Sequence, residues 1–173
     1  MKPAVASSFD VADWFIRQSK RDRVPLSPLK LHRLLYLAQA DYAGRHGGAA
    51  LMPSIFVATE LGPIEPNLYR VFEYGSPKVT VRDPAEKVRT FLTEIWRLFG
   101  EETIEALNRH IARDPALKEA ETLGEGTVIS LAMMHKHHKD EDEPPPVRVV
   151  EGKRVRPWLP PSKDQKPAPT KST

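Results

Sequence analysis

The densest group of metal-binding side chains in this 173-residue chain is His135, His137 and His138, followed at once by Asp140, Glu141, Asp142 and Glu143. Zinc needs three or four such ligands converging on one point. Only His135 and His138 would share a helical face, and no further ligand stands at a usable spacing. The run therefore predicts no metal site. Asp10 and Asp13 lie one helical turn apart, but nothing pairs them with a base or a metal. Ser7, Ser8 and Ser27 stand before apolar periodic stretches and read as helix caps rather than nucleophiles. The cluster Gly44, Gly47 and Gly48 lacks the preceding strand and following helix start of a phosphate loop. The chain has no cysteine, which removes thiol catalysis, disulfides and thiolate zinc sites. The expectation is a protein that is not an enzyme, with no catalytic residue, no metal and no cofactor.

Composition narrows the class further. A hydrophobic fraction of 40% with 28% charged residues suits a soluble globular chain. No apolar run approaches the ~20 residues needed to cross a bilayer, and the opening MKPAVASSFDVADWF has no apolar stretch of a secretory signal. Together with the lack of cysteine, this predicts a cytoplasmic protein without membrane contact. The sequence pI of 9.2 invites a nucleic-acid reading, but the charge is unevenly placed. Residues 147–173 hold seven Lys/Arg and two Asp/Glu, against 19 and 21 in the rest. A groove-binding domain places its cations on a folded face, so nucleic acid is not the expected partner.

The elements follow from periodicity. A helix is predicted from Phe9 to about Lys20, with Val11, Trp14 and Phe15 on one face. Ser27-Pro28 predicts the start of a second, a serine cap followed by proline at the first helical position. Its apolar stripe is Leu31, Leu34, Leu35, Ala38 and Tyr42, and it ends near Gly44. Leu51–Thr59 is read as a strand or extended segment. Asn67–Tyr74, Pro84–Phe99, Glu101–Ile111 and Thr127–His138 are read as helices, the second with Val88, Phe91, Leu92, Ile95, Trp96 and Phe99 inward, and with a break at Asp114-Pro115. After Lys139 come DEDE and three successive prolines, and eight of the 17 prolines lie from there to the C-terminus. Such a stretch cannot sustain a helix or central strand. The predicted fold is mostly α (α+β): a compact helical domain with a short β element over 1–139, then a flexible Pro-rich basic tail over 140–173.

Two motifs then carry a resemblance. KLHRLLYLAQADY, with Lys30, Leu31, Arg33, Leu34, Leu35, Tyr36 and Ala38, precedes a short apolar segment and GPIEPNLY, with Gly62, Pro63, Ile64, Pro66 and Tyr69. This arrangement resembles the Panacea domain of SocA-like antitoxins, over roughly residues 9–135. The resemblance implies a helical domain that binds a cognate toxin protein. Lys30, Arg33 and Tyr36 lie off the apolar stripe, although Tyr36 also suits a core edge. Gly62-Pro63 and Pro66 read as rigid turn punctuation, or as a stiff loop that presents Ile64 and Glu65 to a partner at low entropic cost. The expected toxin-binding set is Lys30, Arg33, Tyr36, Gly62, Pro63, Ile64, Glu65, Pro66 and Tyr69.

The tail holds a second short pattern. Val147, Arg148, Val149 and Val150 resemble the peptide by which SspB-type adaptors dock to the ClpX unfoldase, and their alternation suits strand addition to a sheet edge. A flexible tether would raise the effective concentration of held cargo beside the protease. The competing readings are a hairpin, with VRVV paired to KRVRPW across Glu151-Gly152, and a featureless tail. The expected function is an antitoxin that binds its toxin and acts as a proteolytic adaptor delivering it to ClpXP. Neutralisation by steric occlusion is the alternative within the class. A DNA-binding regulator, with the first two helices as a helix-turn-helix, is the rival from another class.

Overall fold

The computed structural model describes residues 2–73 and 80–139, with the backbone of 148–150 and 153–155. The chain divides into two units, Met1–Asp140 and Glu141–Thr173. Among the described residues the first unit is mostly helical, an α+β arrangement of seven helices and one small sheet. Helix α1 spans Ser8–Asp22 and starts one residue before the predicted position. Ser7 is its cap, accepting from the backbone N–H of Phe9, and the Asp10 carboxylate returns to the Ser7 N–H at 3.1 Å. Asp10 is thus a capping residue, not half of an acid–base pair. Helix α2 spans Pro28–Arg45, capped by Ser27 as the sequence predicts.

The sheet explains the middle of the chain. Strand β1 is Phe56–Thr59, β2 is Gly62–Ile64 and β3 is Val128–Ile129, in the order β2-β1-β3 and antiparallel throughout. Gly62-Pro63-Ile64, read as a turn, is therefore a strand. The turn is the Glu60-Leu61 pair before it, closed between Thr59 and Gly62. Pro63 is tolerated because β2 is an edge strand, where a missing donor breaks no second ladder. Helix α3 follows as Pro66–Glu73, then α4 (Glu86–Phe99), α5 (Ile104–Ile111), α6 (Pro115–Thr122) and α7 (Leu131–His138). Asp114-Pro115 is a helix start, not merely a break: the Asp114 side chain caps α6, accepting from Ala116 N–H at 2.7 Å. The predicted helix over 127–138 is shortened at its front by β3, which pairs Val128 with Val57.

Helix α2 is the axis of the unit. Every residue from Lys30 to Ala40 is buried, so it is a central helix rather than an amphipathic surface one. Its polar side chains are inside because each has a partner there. Gln39 accepts from Met52 N–H at 3.0 Å and donates to Met52 O at 3.2 Å. The Tyr36 hydroxyl donates to Asp114 Oδ2 at 2.9 Å, and its ring meets Phe56 edge-on at 5.6 Å. Helix α7 closes against α2 at Gly44, where an added Cβ would stand 2.0 Å from His138 O. Helix α4 contributes Val88, Phe91, Leu92, Ile95 and Trp96 to the same core, as its spacing predicts, with Phe99 half-buried.

In the second unit, β4 (Arg148–Val150) pairs antiparallel with β5 (Lys153–Val155), Val149 facing Arg154. This is the pairing of the hairpin reading. Val147 lies outside the described residues.

Candidate functional site

The two motifs that share a resemblance are bonded to each other. Arg33 on α2 is 3% exposed. Its Nε donates to Asn108 Oδ1 at 2.9 Å, Nη1 donates to Pro63 O at 3.4 Å, and Nη2 donates to Leu61 O. A planar fork suits this task, because one cation satisfies the carbonyls on both sides of Gly62 and an amide on α5. Gly62 sits at φ +89°, and a Cβ there would come within 3.0 Å of the guanidinium carbon. Only glycine both adopts that backbone and leaves room for the guanidinium.

The neighbouring His32 fastens the other end of β2. Its Nδ1 accepts from Glu65 N–H at 3.3 Å. Burial, reinforced by the Arg33 charge, pulls its pKa down to about 4, so the ring is neutral at pH 7. Glu65 turns inward to start α3: Oε2 accepts from Leu68 N–H at 2.5 Å and Oε1 from Asn67 Nδ2 at 3.2 Å. Burial pushes its carboxyl upward, against those N–H groups, which favour the charged form.

What these bonds hold rigid is the tip between β1 and β2. The Thr59 hydroxyl donates to Gly62 O at 2.8 Å and accepts from Leu61 N–H at 3.2 Å. Leu61 is left 49% exposed at the tip. Three surface depressions, of about 390, 360 and 440 Å³, meet there, and Leu61 lines all of them. A fixed apolar side chain between concavities can anchor another protein, whereas an isolated exposed leucine would mean little.

The predicted contact residues are therefore brought together, but most are not presented to solvent. Lys30 is 6% exposed, with Nζ donating to Pro25 O at 3.4 Å. Burial lowers its pKa against the pull of Glu102 and Glu101. Tyr36, Ile64 and Glu65 are at most 6% exposed, and Pro63 is buried. The expectation that Lys30, Arg33, Tyr36 and Glu65 project toward a partner is corrected: each lies inside, satisfying a neighbouring polar group. Gly62, Pro66 and Tyr69 are half-buried at the edge. Leu61 and Asn108 escaped the sequence reading. The dipeptide between Thr59 and Gly62 would have exposed Leu61 had the two flanking strands been paired from the sequence.

The chain matches no family model, no curated protein and no solved structure in comparisons with each. The Panacea resemblance thus stands on the two motifs alone, and the Arg33 and His32 bonds give a physical reason for their spacing.

The histidines near residue 135 have structural partners. His138 Nε2 donates to Asp114 Oδ2 at 2.9 Å, His137 Nε2 meets Glu119 Oε2 at 2.6 Å, and His135 Nδ1 donates to Ala43 O at 3.1 Å. Among the described residues no three potential ligands gather to hold a metal, and no helix is long and apolar enough to cross a membrane.

Proposed function

We propose that this chain is an antitoxin that holds a protein toxin against the Leu61 tip and delivers it to ClpXP through the segment 147–150. The observation carrying the first half is the rigid tip. A two-residue turn, clamped by Arg33 and flanked by three depressions, presents Leu61 at little entropic cost. Such a surface holds a partner and needs no chemistry of its own. The buried state of α2 from Lys30 to Ala40 weighs against the DNA-reading rival, because a recognition helix must expose a face to enter a groove. For the second half, the support is the alternating Val147–Val150 pattern, which suits strand addition to a sheet edge; the antiparallel β4–β5 pair is the arrangement of the competing hairpin reading.

Affinity capture from native cytoplasm tests both halves, with the full chain and a chain truncated after Lys139 as baits. One small protein should be recovered by both baits and lost on Leu61→Asp. ClpX should be recovered by the full chain only, and lost on Val149→Asp. Recovery of the small protein with ClpX on neither bait would replace delivery by steric occlusion. Retention of that protein by Leu61→Asp would remove the tip from the binding surface.

A further inference from the structure

The small sheet has two edges, and they differ. Along β2 the outward main-chain groups are taken. Leu61 O and Pro63 O accept from Arg33, Pro63 has no N–H, and Glu65 N–H donates to His32 Nδ1. Side chains of α2 thus close that edge, as native edges usually are closed. The other edge is β3, at the far end of the order β2-β1-β3. Ala58 N–H donates to Thr127 O at 2.9 Å, and Ala58 O accepts from Gly126 N–H at 2.7 Å. Phe56 stands opposite Ile129. Main-chain groups alternate in direction along an antiparallel strand. Ile129 therefore turns its N–H and C=O toward β1, while Val128 turns both away from the sheet, and Ser130 N–H follows in the same outward direction. None of these three outward groups has a hydrogen-bond partner among the described residues. Val128 is 43% exposed, and Gly124, Glu125 and Gly126 before it are exposed.

We propose that an extended segment of a protein partner adds to this edge as a fourth strand, antiparallel to β3, with an apolar residue beside Val128 and a basic residue toward Glu125. The inference rests on reading the chain as one that holds a protein, and it names the edge and the chemistry of the segment. The main chain of the occupant follows from the edge itself. Val128 offers one donor and one acceptor, which an antiparallel neighbour meets with a single residue, and Ser130 adds a second donor. The apolar residue follows from Ile64, Val57 and Val128, which stand in one row across the three strands. A side chain beside Val128 continues that row. The basic residue follows from charge. Glu60 and Glu125 line the depression of about 440 Å³ together with Val57 and Ile64, and Arg70 is the one cation of that lining. Both glutamates are exposed, and neither has an ion-pair partner among the described residues. Leu61 lines the same depression, so the edge continues the surface at the tip.

The test is an NMR titration of the full-length protein, labelled on backbone amides, with capped peptides at up to about 5 mM. The first probe is Ac-Ser-Thr-Val-Thr-Lys-amide, whose lysine falls on the same face as its valine and two residues on. The second carries an N-methyl group on the valine, and the third has glutamate in place of lysine. The first peptide should move the Val128 and Ser130 amides and slow their exchange with solvent, leaving the Gly62 and Ile64 amides in place. The N-methylated peptide, which lacks the donor for Val128 O, should not bind. The glutamate peptide should bind about threefold more weakly or worse. Val128→Pro removes the outward N–H at a position where an edge strand tolerates proline, and it should abolish binding while the rest of the spectrum is kept. No shift with the first peptide, equal binding of the N-methylated one, or unchanged binding to Val128→Pro would overturn the proposal. Slowed Val128 exchange in concentrated protein without peptide would give the edge to a second copy and overturn it as well. If Val128→Pro still captures the protein partner that Leu61→Asp loses, the edge assignment falls and the docking surface at the tip stands.

Discussion

Arg33 and His32 show how buried polar side chains on one helix shape a surface they do not form. Replacing Arg33 with methionine leaves the carbonyls of Leu61 and Pro63 without that donor and frees the tip. The expected cost is about 3 kcal/mol in urea unfolding. Arg33→Lys should recover only part of it, since an ammonium cannot reproduce the fork. His32 predicts a pH dependence whose sign follows from its depressed pKa, from 6.5 to about 4. Between those values the unfolded chain binds the proton that the folded chain excludes, so stability falls as pH falls. The contribution of this group between pH 7 and pH 4.5 is about 2 kcal/mol. Urea melts at both values should show it as a difference between the wild type and His32→Gln, which cannot titrate there.

At the scale of elements, the decisive contacts are those that let helices approach. Helix α7 lies against α2 where Gly44 has no side chain, and Gly44→Ala would drive a methyl into the His138 carbonyl. A loss of roughly 1–3 kcal/mol is expected, with amide exchange in α7 accelerated more than in α4. Gly47→Ala is the control. Gly47 sits at φ +60° with nothing within 4 Å of an added Cβ, so it should cost about 1 kcal/mol of backbone strain and leave α7 protected. The helices themselves were legible in the sequence. Ser27-Pro28 marked the start of α2, and Val88, Phe91, Leu92, Ile95 and Trp96 marked the inner face of α4. Strand β2 and helix α6 were not legible, for different reasons. A three-residue strand containing Gly and Pro has no period to read, and its identity comes from pairing with Val57–Thr59. At α6, the break at Asp114-Pro115 concealed a cap.

For the whole molecule, charge and burial together set what it can bind. The basic excess lies in residues 147–173, and α2, the proposed recognition helix of the DNA-binding rival, is the buried axis of the first unit. A chain truncated after Lys139 is therefore expected to hold duplex DNA no better than about 10⁻⁴ M at physiological salt, measured by fluorescence anisotropy. Submicromolar binding that weakens steeply with salt would restore the DNA-binding rival. The second unit adds a β4–β5 pair, and the Val149→Asp capture experiment decides whether its segment recruits an unfoldase.

Local rules were enough to read a mostly helical domain, the Ser27 cap that starts α2 and the division near residue 140, because periodicity, capping chemistry and proline content act over a few residues. They were also enough to bring the residues around Arg33 and the Gly62–Tyr69 stretch to attention. The direction in which those side chains face was decided by the tertiary fold. Lys30, Arg33 and Tyr36 lie off the apolar stripe in a helical projection, and Glu65 reads as part of a loop presented to a partner. Arg33 and Tyr36 are buried where the Leu61 and Pro63 carbonyls and the Asp114 carboxylate, all distant in sequence, meet them, whereas Lys30 meets the nearby Pro25 carbonyl and Glu65 the Leu68 N–H three residues on. The exposed anchor, Leu61, is apolar and lies in a turn. It faces solvent because the strands on either side of it pair, and strand pairing is a long-range event that no local window contains.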